Sequence, residues 1–492
     1  MTMRWWLPAA LLVCLPCIAA ADSVTTYHNS NLRHGAYKVP ALTLTAAANV
    51  QRDKGFNGSI SGHVYAQPLF WEPKGTKQGL VIVATESNSV YALDERSGAV
   101  VWKQTLGNPM PLNELPCGNI DPMGITGTPV IDPASARVYL DAMTKTGNGA
   151  RHMVYALSPA DGSVISGWPI DMQKDLTGKG ATFDSAVHGE RSALLFFKNK
   201  LYVNYGGHFG DCGNYHGTVA QIAPDTASLD AYWQTRATGG GIWAQGGLAG
   251  DGTYLYITTG NTFGANQWSD GEAIIRLHPG LEHSNRTKDY FAPSNWKDLD
   301  NSDQDLGGTE ALPIDIAVAG GSPAKRVIAF GKDGKAYLVD RSNLGGIGGE
   351  LASSQVANGG IRTGPAVYQT DTTTMVAFSN SGSGHCSGNN ITTLSIAASG
   401  SSLINFDWCA QYSGNGSPIL TTTDGVSNPV VWVAGAEGDN ELHGFNALNG
   451  QVVFSGSGTA MSGLHHFQTI LATKNRFYVA GDNKVYSFKF GK

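Results

Sequence analysis

A chain of 492 residues with 63 glycines and only 15% charged residues can bury a large core but has little material for long amphipathic helices. Its formal net charge of −6, with no basic block, argues against a nucleic-acid-binding face. Short strands joined by many tight turns fit this profile.

In chain order, residues 1–21 read as a cleaved secretory signal. MTMRWW is short and basic, LPAALLVCLPCIA is apolar, and Ala19-Ala20-Ala21 supplies the small residues a signal peptidase needs. Residues 22–492 are then one mature domain, secreted or periplasmic. Cys14 and Cys17 leave with the signal and lack the flanking residues of a lipidation site. No later run is long and apolar enough to span a bilayer. TLTAAANVQRD (43–53) reads as a short helix, and KGFNGSISG (54–62) as a strand.

VYALDERSGAVVWK (90–103) is the clearest copy of a repeat. Val90, Ala92, Val100 and Trp102 fall on strand alternation, Asp94 and Ser97-Gly98 make a turn, and Trp102 offers a flat docking surface. YALSPADGSVISGWP (155–169), AYLVDRSNLGG (336–346) and HGFNALNGQVVF (443–454) are weaker copies. Eight apolar runs read as innermost strands: 66–71, 127–131, 192–197, 246–250, 310–314, 364–368, 417–421 and 468–472. Eight units of about four strands predict an all-β, eight-bladed β-propeller, with seven blades as the alternative. The last unit ends one strand short, and residues 54–62 are expected to complete it and close the ring.

Four cysteines remain after the signal. Cys386 and Cys409 flank one predicted hairpin and are expected to pair, which leaves Cys117 for Cys212; an exported protein favours such bridges.

The pattern A-L-D-x-x-S-G-x-x-x-W resembles the repeat of pyrroloquinoline quinone (PQQ) dehydrogenases and of their non-catalytic propeller relatives. LPCGNIDPMGITGTPVIDP and GGHFGDCGNYHG are similar to secreted bacterial members of that group. The resemblance implies site residues for a quinone-dependent alcohol or sugar oxidoreductase. GGGIW (239–243) would make Trp243 the floor under the quinone. YITTGN (256–261) would make Asn261 a Ca²⁺ ligand. DNSDQDLGG (300–308) would make Asp303 or Asp305 the catalytic base. FGKDGKAYLVDR (330–341) would make Lys332 the cation beside the quinone. The chemistry needs those types: a base for the hydroxyl proton, a hard cation with oxygen ligands, and a positive side chain where charge develops.

The chain also departs from that group. It has no adjacent cysteine pair to cover the quinone and no C-x-x-C-H haem motif. Where a metal-binding glutamate is expected it has His208, Asp211 and His216, of which Asp211 is the oxygen ligand. The cluster His208–His216 also supports a zinc-dependent hydrolase or lyase, or a disulfide-tied loop. His465-His466 and Glu190-Arg191 stand where they could face the central funnel. The remaining reading is a cofactor-free propeller that binds a protein or a glycan through loops on one face.

Overall fold

The computed structural model describes residues 23–491, apart from Lys74, Gly75, Lys77, Ser457 and Thr459. The stretch 1–21 expected to be a signal therefore lies outside the described residues. Eight mainly antiparallel sheets are formed, and the eight expected apolar runs all supply their innermost strands. These are Leu69–Trp71, Val130–Asp132, Leu195–Phe197, Ala249–Gly250, Leu312–Ile316, Ala366–Gln369, Ile419–Thr422 and Leu471–Ala472. The protein is an eight-bladed β-propeller. Its core lies between successive sheets, as expected for strands covered on both faces.

The repeat builds both the blade and its joint. Asp94 Oδ1 accepts the backbone N–H groups of Arg96 and Ser97, and Gly98 turns the chain at φ +69°. Trp102 closes the joint. Its indole N–H donates to the Pro159 carbonyl of the next blade at 2.9 Å, and its ring fills the space above Gly162, where a Cβ would lie 2.5 Å from it. Trp408 repeats this geometry on the Ala447 carbonyl and Gly450. The Asp-Gly turn of one blade is thus the seat for the aromatic of the blade before it.

An N-terminal strand closes the last blade, as expected, but residues 51–52 rather than 54–62 form it. The outer strand of the last blade is Gln51–Arg52, which pairs antiparallel with Lys484–Lys489. It lies within the stretch expected to be helical, and that helix covers only Leu44–Ala48. Thr43 caps its start, and Asn49 leaves helical geometry at its end. Residues 54–62 continue past the seam. Asn57 N–H donates to the Ser97 carbonyl at 2.8 Å, and Phe56 sits against Gly98. Phe56 therefore occupies, on the first blade, the seat that Trp102 fills on the second.

The N-terminal stretch 24–38 threads the axis and touches the innermost strand of each blade or, in the last blade, the segment just before it. Val24 exchanges backbone hydrogen bonds with Phe70, and the Ile131 N–H reaches the Thr25 carbonyl. Arg33, fully buried, donates from Nη2 to the Leu194 carbonyl and from Nε to the Leu248 carbonyl. His34 bonds the Pro313 carbonyl and receives the Val367 N–H. Gly35 receives the Leu420 N–H, Ala36–Lys38 runs parallel to Leu420–Thr422, and the His28 ring reaches Thr469. This segment plugs the channel and leaves the axis open toward one rim.

Candidate functional site

That rim holds a cavity of about 950 Å³, lined by residues just before the innermost strands and just after the strands that follow them. Arg191, Trp243, Arg362 and His466 come from the first set; His208, Asp211, Asn261, Lys332 and Glu437 come from the second, joined by Asn380 near the end of the strand Thr374–Gly382. The plug contacts lie farther along the innermost strands, so the plug forms the deep side of the same axial space.

Trp243, Asn261, Asp303, Asp305 and Lys332 all line this cavity. Lys332 Nζ lies 2.7 Å from Asp303 Oδ1, 2.6 Å from Asp305 Oδ2 and 5.2 Å from the centre of the Trp243 ring. Burial alone would lower the Lys332 pKa, but the Asp305 and Asp303 charges outweigh it and hold the ammonium above its usual value.

The two carboxylates differ. Asp305 is 4% exposed, and its other oxygen, Oδ1, accepts the Asn261 backbone N–H at 2.9 Å. Asp303 is 66% exposed, left-handed at φ 52°, and engaged through Oδ1 alone. The acidic run containing them is an ordered support. Residues Trp296–Ser302 form a helix whose Asp300 accepts both the N–H and the hydroxyl of Thr262. Asn261 is thus fixed from both sides, and among the described residues no group hydrogen-bonds its carboxamide. Gly260 permits this packing, because a Cβ there would lie 2.8 Å from Asp305 Oδ1.

Asp211 lines the facing wall. Its Oδ1 accepts the Tyr215 hydroxyl at 2.6 Å, and burial raises its pKa, with Asp305 and Asp303 adding to the rise. The wall is tied down by the Cys117–Cys212 disulfide; the second bridge is Cys386–Cys409. Both pairings follow the expectation. Gly210 packs against Cys117, so the disulfide backs the loop that faces Trp243.

His208 and His216 are separated by the fold. His208 lines the cavity, and burial lowers its pKa to about 4. His216 turns away: its Nδ1 bonds the Thr235 carbonyl at 2.8 Å, and its backbone N–H donates to the His188 ring. With Asp211 they form no convergent ligand set among the described residues, so the zinc-hydrolase reading loses its geometry.

The other half of the cavity is polar. Arg191 enters it and donates to His466 Nε2 at 3.4 Å, while His466 Nδ1 bonds Glu437 at 2.7 Å. Glu190 faces elsewhere and accepts the Gly127 N–H. Arg362, Glu437 and Tyr215 were not anticipated from sequence; Arg362 stands in a loop that joins two blades, whereas Glu437 and Tyr215 stand in loops within a blade, Tyr215 inside the GGHFGDCGNYHG stretch.

Fold and cavity together define an eight-bladed propeller with one deep, polar axial pocket. Among solved structures it is similar to the quinohaemoprotein alcohol dehydrogenase of Comamonas testosteroni, with TM-score 0.68 and 14% identity over 95% of this chain and 80% of that one. The quinohaemoprotein alcohol dehydrogenase ADHIIG of Pseudomonas putida HK5 gives 0.66 and 13%, over 96% and 80%. A europium-containing methanol dehydrogenase gives 0.62 and 14%, over 94% and 89%. At these identities the likeness establishes the fold. No family model and no curated protein sequence matches the chain.

Proposed function

We propose that the protein is an exported quinone-dependent oxidoreductase acting on small alcohols or sugars, with PQQ and a divalent cation such as Ca²⁺ in the axial cavity. The observation that carries this reading is the convergence of Lys332, the Trp243 face and the Asp303/Asp305 pair in one pocket. The alcohol and methanol dehydrogenases of similar fold support it. The two disulfides fit an extracellular or periplasmic protein, and among the described residues no helix is long and apolar enough to cross a membrane.

The residues present fit the group. A tricyclic quinone suits a cavity of this size, with the Trp243 indole on one face and the disulfide-backed 208–212 wall toward the other. The uncommitted Asn261 carboxamide, with Asp211 across the cavity, offers oxygens to a hard cation. The quinone, when bound, supplies the two-electron acceptor for the oxidation.

The chain's own groups then divide the remaining work. Asp303 Oδ2 is free to take the substrate hydroxyl proton. Asp305, with both oxygens committed, positions the Asn261 backbone and the Lys332 ammonium. Lys332 holds positive charge where negative charge would develop.

The test is to add PQQ and Ca²⁺ to the purified protein, desalt it, and look for quinone absorbance that stays bound. Retention in the wild type and its loss in Trp243→Ala is the expected result. No retention, with dye-linked turnover absent across alcohols and sugars, would leave a cofactor-free propeller that binds a protein or a glycan. One observation favours that second reading: Asp303 and Asp305 already share a resident cation in Lys332.

A further inference from the structure

Outside the cavity, three potential metal ligands meet at the seam where the ring closes. His63 lies on the segment leading into the first blade, His465 on the segment leading into the last, and Asp482 in the last blade's hairpin turn. Asp482 Oδ2 is 2.9 Å from His63 Nδ1, and its Oδ1 is 2.7 Å from His465 Nε2. The three ligand atoms lie within 4.8 Å of one another.

Each ligand is held by its surroundings. The His465 ring stacks on Tyr65, centroids 4.2 Å apart, and meets the His63 ring edge-on at 5.7 Å. The Asp482 N–H donates to the Gly463 carbonyl at 2.9 Å. The neighbouring Asn483 exchanges two hydrogen bonds with Gly62, and the His63 carbonyl accepts the Glu86 N–H. The segments carrying all three ligands are thus fixed by backbone bonds that do not involve the ligand atoms.

His63 Nδ1 is buried and stands 2.9 Å from the Asp482 carboxylate, so the two potential ligand atoms share one space. A proton on the imidazole satisfies this pair, and a divalent cation held between the donors would replace that proton. The side chains are 43%, 19% and 24% exposed for His63, His465 and Asp482, so water can reach and complete a coordination shell.

We propose that His63, His465 and Asp482 bind a divalent transition cation of the Zn²⁺ type, which pins the first blade to the last. Two imidazole nitrogens and one carboxylate oxygen suit zinc, with water in the fourth position. Zinc bonds of about 2.0–2.1 Å place tetrahedral donors roughly 3.3 Å apart, so the short nitrogen–oxygen contacts open slightly and the wider separations, all within 4.8 Å, close by side-chain rotation. This site shares no ligand with the quinone cavity and stands whether or not a quinone binds there.

The test is calorimetric titration of Zn²⁺ into the chelator-stripped full chain, with Ca²⁺ present throughout to occupy oxygen-rich sites. One tight equivalent and a raised Tm are expected, and Co²⁺ should give visible d–d bands. All three signals should vanish in the His63→Ala/His465→Ala double variant and persist in His385→Ala, a histidine of the sixth blade. Asp482→Asn, which keeps the side-chain size, should weaken binding at least tenfold and serves if the double variant fails to fold. Zn²⁺ binding of equal stoichiometry and affinity in wild type and variants, or none in the wild type, would overturn the proposal.

Discussion

At the scale of single residues, the pocket separates two neighbouring aspartates by burial. Asp303 is exposed and held by one contact, whereas Asp305 is buried and committed through both oxygens. Asp303→Asn should therefore change unfolding free energy by no more than about 0.5 kcal/mol while abolishing quinone-dependent turnover. Lys332→Met should instead lower stability by about 3 kcal/mol, because it strands the Asp305 charge in a buried position. Urea unfolding alongside a dye-linked assay checks both, and a stable, active Asp303→Asn would remove that residue as the base.

A second residue-scale effect lies beneath the cavity. Glu310 is fully buried and neither of its carboxylate oxygens has a hydrogen-bond partner; burial pushes its pKa from 4.5 up to about 7. The folded pKa is the higher one, so the folded state keeps a proton that the unfolded chain has released. This contribution to stability is full below about pH 4.5, declines as pH rises toward 7, and is lost above it. In that window the slope approaches about 1.4 kcal/mol per pH unit. Glu310→Gln should flatten this part of the stability–pH curve, measured by urea titrations at several pH values. Glu86, also raised to about 7, keeps its own share of the slope.

At the scale of elements, regular features could be read from sequence and irregular ones could not. The eight innermost strands announce themselves as apolar runs bounded by turn residues, and all eight are found. The repeat's Asp, Gly and Trp could be assigned to turn and dock because their offsets recur. Trp243, Asn261, Asp303, Asp305 and Lys332 could be singled out because short motifs surround them, and the blade geometry carries all five to one rim. The plug left no such trace. Its anchors are Arg33 and His34 reaching backbone carbonyls of the third, fourth and fifth blades, and single contacts of that kind have no period. The ring-closing strand was masked for a related reason. Thr43 through Ala48 do favour a helix, and only two residues, Gln51 and Arg52, pair as strand beyond it. The His63–His465–Asp482 group escaped because its members are far apart in sequence and meet only when the ring closes.

For the whole molecule, the ring is a closed circuit with one covalent gap, and the gap lies within the last blade, between Lys484–Lys489 and the Gln51–Arg52 strand that leads into the first blade. Elsewhere each blade runs into the next along the chain. At the seam the joint is made by Gln51–Arg52 on Lys484–Lys489, by Phe56 on Gly98, and by the Ser59–Lys484 bridge. Removing the Phe56 ring leaves a cavity at this joint and should lower stability by about 3 kcal/mol. Its distribution distinguishes a seam from an ordinary core site. In Phe56→Ala, backbone amides of 51–62 and 484–489 should exchange faster than those of the third and fourth blades, because the circuit opens there first. Hydrogen-exchange mass spectrometry reads this directly. Faster exchange spread evenly over all eight blades would mean that the propeller opens as one unit and that its seam is no weaker than its other joints.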